Sequence, residues 1–239
     1  MSATANLLSP TSEIKATMIT VHHLNNSRSQ RVLWLLEELG VEYRIQHYQR
    51  NAKTMLAPLE LKAVHPLGKS PVITDDGETV AESGTIIEYL LERHGGGRFQ
   101  PAAGTPSHRR YTYWMHYAEG SLMPLLVMQL IFGQIPKRVP GLIRPIARAI
   151  IAGVQRGFLS PNLTAHLNFI EAELGKSNWF AGEDLTAADI QMSFPMEAAE
   201  ARAGKDGLGP KSQSFLERIR ARPAYQRAMG KGGPFELLS

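Results

Sequence analysis

The feature that most constrains this chain is a β-α-β pattern packed into about 30 residues near its N-terminus. Ile19 to Leu24 is a short apolar run with β-branched residues and predicts a strand. Asn25 to Ser29 is polar and turn-like. Val32, Leu35, Leu36 and Leu39 then recur at i, i+3, i+4 and i+7, and Gly40 stands where a helix-ending glycine belongs. Val41, Tyr43 and Ile45 alternate with Glu42, Arg44 and Gln46, which predicts a second strand. Two strands joined by a helix form a parallel pair with a right-handed crossover.

The pattern continues. Met55 to Ala63 predicts a short helix, ended by His65-Pro66 and Gly68. Ser70 to Thr74 predicts a strand, Asp75-Asp76-Gly77-Glu78 a hairpin turn, and Thr79-Val80-Ala81 the returning strand. Glu82-Ser83 opens a helix with Ile86, Ile87, Leu90 and Leu91 on one face, ending at Gly95-Gly96-Gly97. The order β-α-β-α-β-β-α implies a four-stranded mixed sheet in an α/β domain spanning 18–95.

Residues 96–106, with Pro101 and Gly104-Thr105-Pro106, read as a linker. Beyond it, residues 107–239 read as all-helical. Helices are predicted at 107–132, 141–157, 161–174, 186–203 and 211–220. In Thr186-Ala187-Ala188-Asp189, the Thr186 hydroxyl can cap the Asp189 amide while the Asp189 carboxylate reaches back, with Leu185 and Ile190 as an apolar staple. Residues 1–17 lack a basic segment followed by a long apolar one, and read as a flexible tail rather than a secretory signal. The apolar run Leu122 to Phe132 contains Pro124 and Gln129 and is shorter than the ~20 residues a spanning helix needs, so no transmembrane segment is expected.

There is no cysteine, which excludes disulfides, thiolate metal sites and catalysis by a protein thiol. Residues 1–95 carry 9 Lys/Arg and 11 Asp/Glu, whereas residues 96–239 carry 17 and 11. The cations are scattered, with no run longer than two, so a nucleic-acid partner is not expected. From Gly120 to Ile170 there are five basic residues and no acid; a helical hairpin with a basic outer face is expected, with a roof over a substrate pocket or contact to anionic lipid as alternatives. His22-His23 has no partner at metal-ligand spacing, and no metal is assigned.

Two turns have the makings of a site. Ser27, Arg28 and Ser29 precede a helix, where a serine is either a plain N-cap or a donor to a ligand anion. Ser83, after Glu82, stands at another helix start, where it is either a plain N-cap or, with the free amides and the helix dipole, part of a site for an anion. Tyr113 and Tyr117 share a helix face, with His116 alongside and Met123 beyond. They read either as a pocket wall or as packing between domains.

This order of elements resembles the glutathione S-transferase family. The resemblance covers nearly all of residues 18–230. It is carried by Ser27 through Arg31 with Val32-Leu33-Trp34-Leu35-Leu36-Glu37-Glu38-Leu39-Gly40, by His65-Pro66-Leu67-Gly68-Lys69-Ser70-Pro71-Val72, by Glu82-Ser83, and by the Thr186–Asp189 box. The Asn25-Asn26-Ser27-Arg28-Ser29 loop looks most like that of bacterial and fungal serine-type members. The resemblance implies a thioredoxin-like N-terminal domain, an all-α C-terminal domain and glutathione as co-substrate, without a metal.

It further implies an enzyme that holds the glutathione thiol as a thiolate and transfers it to a small, mainly apolar electrophile, as a homodimer in the cytoplasm. The catalytic serine falls at Ser27, or one place earlier at Asn26, with Arg28 as a nearby cation. Lys69, Ser70, Pro71 (cis in the family), Glu82 and Ser83 are the implied glutathione contacts, and Tyr113, His116, Tyr117 and Met123 the implied electrophile pocket. Alternatives of the same fold are a glutathione-dependent peroxidase, isomerase or lyase, and a non-catalytic glutathione-binding protein.

Overall fold

A computed structural model describes residues 18–203 and 207–233; the expected tail at 1–17 lies outside the described residues. The first domain holds β1 (Ile19–Leu24), α1 (Ser29–Leu39), β2 (Tyr43–Tyr48), α2 (Glu60–Val64), β3 (Val72–Asp75), β4 (Glu78–Ala81) and α3 (Ser83–His94). The sheet order is β2-β1-β3-β4. Strands β1 and β2 are parallel, with Ile19 opposite Tyr43 and Leu24 opposite Tyr48. Strand β3 runs antiparallel to both β1 and β4. The β3–β4 turn has Asp76 at φ 49° and Gly77 at φ 80°, the two left-handed residues a tight hairpin of this twist requires.

Helix α1 buries Val32, Leu33, Leu35 and Leu36 completely, each worth roughly 1.5–3 kcal/mol relative to exposure. It ends at Gly40, whose left-handed backbone lets its amide bond the Leu36 carbonyl. Val41 donates to the same carbonyl, so β2 begins at Tyr43, two residues later than the alternation suggests. The helix predicted from Met55 is confined to Glu60–Val64. Pro58 has no amide to donate and Met55 has φ 60°, so the preceding residues form turns.

The second domain consists of α4 (Pro106–Tyr117), α5 (Met123–Arg138), α6 (Arg144–Val154), α7 (Ser160–Leu174), α8 (Ala187–Ala203), α9 (Pro210–Arg220) and α10 (Pro223–Gly232). A π-turn at Ala118–Leu122 joins α4 to α5, and another at Gln155–Leu159 joins α6 to α7. The helix predicted over 107–132 is present, runs through Pro124 and extends past its predicted end. Pro106–Arg138 is one continuous 33-residue helix, long and apolar enough by length and composition to cross a membrane. In the π-turn Met123 donates to the Ala118 carbonyl, and this slipped ladder admits Pro124, which has no N–H, at the second position of α5.

Helix α8 is buried from Ala187 through Ala199, which makes it the central helix of this domain. Its start carries the Thr186–Asp189 box in altered form. The Asp189 carboxylate accepts from the Thr186 amide (2.8 Å), the Thr186 hydroxyl (2.9 Å) and the Phe180 amide (2.8 Å). The reach-back forms as expected, but the hydroxyl donates to the carboxylate rather than capping the Asp189 amide.

Helix α10 lies beyond the last individually predicted helix (211–220) and folds back onto α1. Gln30 Nε2 donates to the Ala228 carbonyl (3.4 Å), and Arg227 pairs with Glu37 (2.7 Å). Arg222 pairs with Glu38, and Tyr225 meets Trp34 edge-on at 5.4 Å.

Candidate active site

Strand β1 ends beside β3, and the chain turns at Asn26, whose φ of 50° is left-handed. Asparagine is among the residues that tolerate this conformation best. Arg50 clamps the turn: its amide donates to Asn25 Oδ1 (2.8 Å) and its Nε to the Asn25 carbonyl (3.2 Å). Ser27 follows, nearly buried. Its Oγ lies 2.7 Å from Ser29 Oγ and accepts from the Ser29 amide (3.3 Å). Ser29 Oγ is in turn 2.9 Å from His23 Nδ1.

Burial first, and His47 second, push the His23 pKa down to about 4, against a main-chain hydrogen bond at Gly232 that favours the protonated ring. His23 is therefore neutral at pH 7, with one N–H and one acceptor nitrogen. A main-chain bond that favours the protonated ring is one in which a carbonyl accepts. The ring N–H thus serves Gly232, and Nδ1 accepts from Ser29. Ser27, Ser29 and His23 thus form a chain of polar contacts, with the Leu24 carbonyl, 3.5 Å from Ser29 Oγ, as a second acceptor for the Ser29 hydroxyl.

Ser70 and Pro71 close the other side, joined by a cis peptide bond as the resemblance implied. Ser70 Oγ donates to the His22 carbonyl (2.9 Å), accepts from the Leu24 amide (3.3 Å) and lies 3.4 Å from Ser27 Oγ. Next along the wall, Glu82 has φ 71°, a strained value for a non-glycine residue, and Ser83 starts α3. No side chain caps this helix, so its first amides are available to a ligand.

The helical domain contributes Glu119 and Phe194. Arg28 Nε donates to both Glu119 oxygens (2.9 and 3.0 Å). Arg31, fully buried in α1, donates to Glu119 and to the Gln191 carbonyl. Both guanidiniums lie over the Phe194 ring, at 5.3 and 5.6 Å. Burial alone would raise the Glu119 pKa, but the charges of Arg31 and then Arg28 outweigh it and hold the carboxyl below its ordinary value. Burial lowers Arg31 to about 10, still charged at pH 7. Two cations on one carboxylate leave a net positive charge at the start of α1.

These residues form a cleft of two adjoining lobes that share Arg28, Leu67, Lys69 and Ser70. One lobe, about 300 Å³, includes Pro71, Glu82, Ser83 and Glu119. The other, about 470 Å³, includes Asn26, Ser27 and Arg50 together with Leu56, Leu59 and Phe194. Every residue expected at the sulfur or at glutathione (Asn26, Ser27, Arg28, Lys69, Ser70, Pro71, Glu82, Ser83) lines one lobe or both.

The expected electrophile pocket is not assembled there. Tyr113 stacks on Tyr117 at 5.6 Å, and both pack on Phe169 of α7. Tyr117 also hydrogen-bonds His166, and Met123 is buried in the core. Neither lobe is lined by Tyr113, His116, Tyr117 or Met123. Spacing along α4 showed which residues share a face, and that face turns to α7 rather than to the cleft.

Sequence reasoning missed Glu119, Phe194, Arg31 and the Ser29–His23 chain. One signal was available: Glu119 is the only acidic residue between Glu92 and Glu171. His22 hydrogen-bonds Tyr48 (3.0 Å) and Thr74 (3.3 Å), and among the described residues no group of three His, Cys, Asp or Glu side chains is arranged to hold a metal.

Comparison with known proteins agrees with this geometry. Residues 16–92 match the family model described as the glutathione S-transferase N-terminal domain. Glutathione S-transferase 3 of Schizosaccharomyces pombe is 37% identical over 219 residues, covering 90% of this chain and 88% of its own. Glutathione S-transferase 1 of Saccharomyces cerevisiae is 33% identical, covering 90% of this chain and 95% of its own. A crystal structure of a glutathione S-transferase from Actinobacillus pleuropneumoniae superposes with a TM-score of 0.72 at 33% identity, covering 90% of this chain and 93% of that one. With this similarity running through both domains and over the cleft between them, the chain belongs to the glutathione S-transferase family.

Proposed function

We propose that the cleft binds glutathione, ionises its thiol and transfers the sulfur to a small, mainly apolar electrophile. The observation that carries this reading is the placement of two helix starts, at Ser27–Ser29 and at Ser83, on one cleft wall with Ser70-Pro71 between them. The uncapped amides of α3 and the Ser83 hydroxyl receive the γ-glutamyl carboxylate, and Glu82 its ammonium. The backbone at Ser70 aligns the cysteinyl unit, and Lys69, shared by both lobes, pairs with the glycyl carboxylate.

The sulfur then lies at the turn of Asn26, Ser27 and Arg28. A free thiol has a pKa of ~8.5 and is mostly protonated at neutral pH. The α1 dipole and the net positive charge of Arg28, Arg31 and Glu119 favour the thiolate. The Ser27 hydroxyl donates to it. In the transfer, the thiolate lone pair forms a carbon–sulfur bond, and the displaced electron pair leaves with the electrophile's leaving group. Leu56, Leu59, Leu67 and Phe194 offer the electrophile an apolar wall. A homodimeric state and a cytoplasmic, detoxifying role are part of this reading, on the strength of the family.

The test is the ultraviolet absorbance of the thiolate of bound glutathione, titrated from pH 5 to 9 in the wild type and in Ser27→Ala. The expected result is a thiol pKa below that of free glutathione, rising by about one unit in the variant, which corresponds to about 1.4 kcal/mol. A lowered pKa unchanged by the substitution would move the sulfur contact to Asn26 or Arg28. An unshifted thiol would overturn the reading.

A further inference from the structure

The larger lobe of the cleft has an uneven charge balance. Four cations line it, Arg28, Arg50, Lys62 and Lys69, and no acidic side chain does. Arg28 is answered by Glu119 of the helical domain. The other three form no ion pair among the described residues. Arg50 is the least exposed of them. Its Nε and its two terminal nitrogens donate to the carbonyls of Asn25 (3.2 Å), Met55 (3.2 Å) and Asn26 (3.4 Å). These bonds occupy three of its five N–H groups and set no opposite charge against it. Burial first, and the Arg28 charge second, push the Arg50 pKa down.

Lys62, on α2, is laid along the same lobe by a glycine. Gly68 has φ 57°, and a Cβ there would stand 2.7 Å from Lys62 Cγ and 3.6 Å from its Cε. Without one, the lysine stem lies along Gly68, which itself lines the lobe. In the glutathione complex proposed above, the thiolate is set against Arg28, Arg31 and Glu119, and the glycyl carboxylate against Lys69. Arg50 and Lys62 are then cations with no counter-charge from the protein or from glutathione. An electrophile that covered them with hydrocarbon alone would strip water from unpaired charge, which is costly. One that brought its own anion would not.

We propose that the electrophile is an apolar molecule bearing a carboxylate, which Arg50 and Lys62 hold in the larger lobe. The inference rests on the glutathione-transfer reading and narrows its substrate class. The two N–H groups that Arg50 retains are on its terminal nitrogens, the pair able to grip both oxygens of a carboxylate. Lys62 adds a second charge, and Leu56, Leu59 and Phe194 take the apolar body. The carboxylate is a handle and not a reactant. The thiolate forms its carbon–sulfur bond at the electrophilic carbon, the leaving group departs with its electron pair, and the carboxylate is unchanged.

The experiment compares two electrophiles that differ only in the handle, para-chloro-meta-nitrobenzoate and its methyl ester, with the full chain and glutathione at pH 7. For each, kcat/KM is divided by the rate constant of the uncatalysed reaction with glutathione, which removes the difference in intrinsic reactivity. The acid should be accelerated more than the ester, and the ratio should fall as salt rises. Lys62→Gln should cut that ratio about fivefold, the scale of one partly solvated ion pair, and Lys62→Arg should keep it. Acceleration of the ester equal to or greater than that of the acid overturns the proposal. So does a Lys62→Gln variant that raises KM for glutathione equally with both compounds and leaves the ratio unchanged, which gives the lysine to the glycyl carboxylate. Acceleration of neither compound also overturns it, and the thiol titration then tells the two failures apart: a lowered thiol pKa leaves glutathione activation standing, whereas an unshifted one removes that reading as well.

Discussion

Helices α1 and α3 both follow a strand and both point their N-termini into the cleft, yet the two ends are built in opposite ways. The start of α1 is closed from within. Ser27 accepts the Ser29 amide, Ser29 leans on His23, and Arg28 and Arg31 reach across to Glu119 of the other domain. The start of α3 is open: no side chain caps it, and the strained Glu82 presents its amides to the cleft. An open end serves a ligand carboxylate, which brings its own acceptors. In the proposed reaction the closed end would face the sulfur, where a fixed field and a single adjustable hydroxyl matter more than free amides.

The largest test of this contrast removes the clamp on α1. Glu119→Gln leaves the fully buried Arg31 with only the weaker attraction of Glu197; with the Glu119 side chain 34% exposed, the cost lies at the low end for a buried pair, about 3 kcal/mol. Urea unfolding should show that loss. Glutathione affinity at the α3 end should fall much less among the molecules that remain folded. An unchanged unfolding midpoint would mean that the clamp is not what closes α1.

The next largest effect is pH-dependent. His23 has a folded pKa of about 4 against an ordinary 6.5, so between these values the unfolded chain binds the extra proton. Its contribution is fully present above pH 6.5 and is lost as pH falls toward 4, by up to about 3 kcal/mol. Stability measured from pH 7 to 4 should decline less steeply in His23→Asn than in the wild type. An identical slope would remove His23 from the closed end of α1.

The smallest effect belongs to the open end. Ser83→Ala removes one hydrogen bond to a carboxylate, worth ~1.5–3 kcal/mol. It should raise KM for glutathione roughly 10- to 100-fold with kcat nearly unchanged, whereas Ser27→Ala should lower kcat. Were the two substitutions to change KM and kcat alike, the division of labour between the helix starts would fail.

The open end was legible in the sequence and the closed one only in part, for a physical reason. Ser83 could be placed because a strand, a tight Asp-Gly turn and an apolar helical face are local patterns, all within a few residues of one another. The same local logic found α1 and the sheet. The clamp on α1 depends on Glu119, far along the chain, and no periodicity links a buried arginine to a distant carboxylate. The aromatic residues of α4 failed for a related reason. Tyr113 and Tyr117 do share a face, but which neighbour that face meets is decided by how α4 packs on α7. The short α2 shows a local rule overruled by another local rule, with Pro58 outweighing the apolar spacing around it.

The return of α10 onto α1 has a consequence for the order in which the protein is made. Gln30 sits just past the turn at Asn26 to Arg28, and the carbonyl it bonds belongs to Ala228, 198 positions further along. His23, at the end of the chain of polar contacts from Ser27, leans on Gly232. A ribosome therefore releases the sheet and both cleft-facing helices long before it releases the residues that fix α1 in place. During synthesis the first domain must wait with the back of α1 uncovered until α10 emerges. A chain lacking α10 would lose the contacts that support the turn at Asn26 to Arg28.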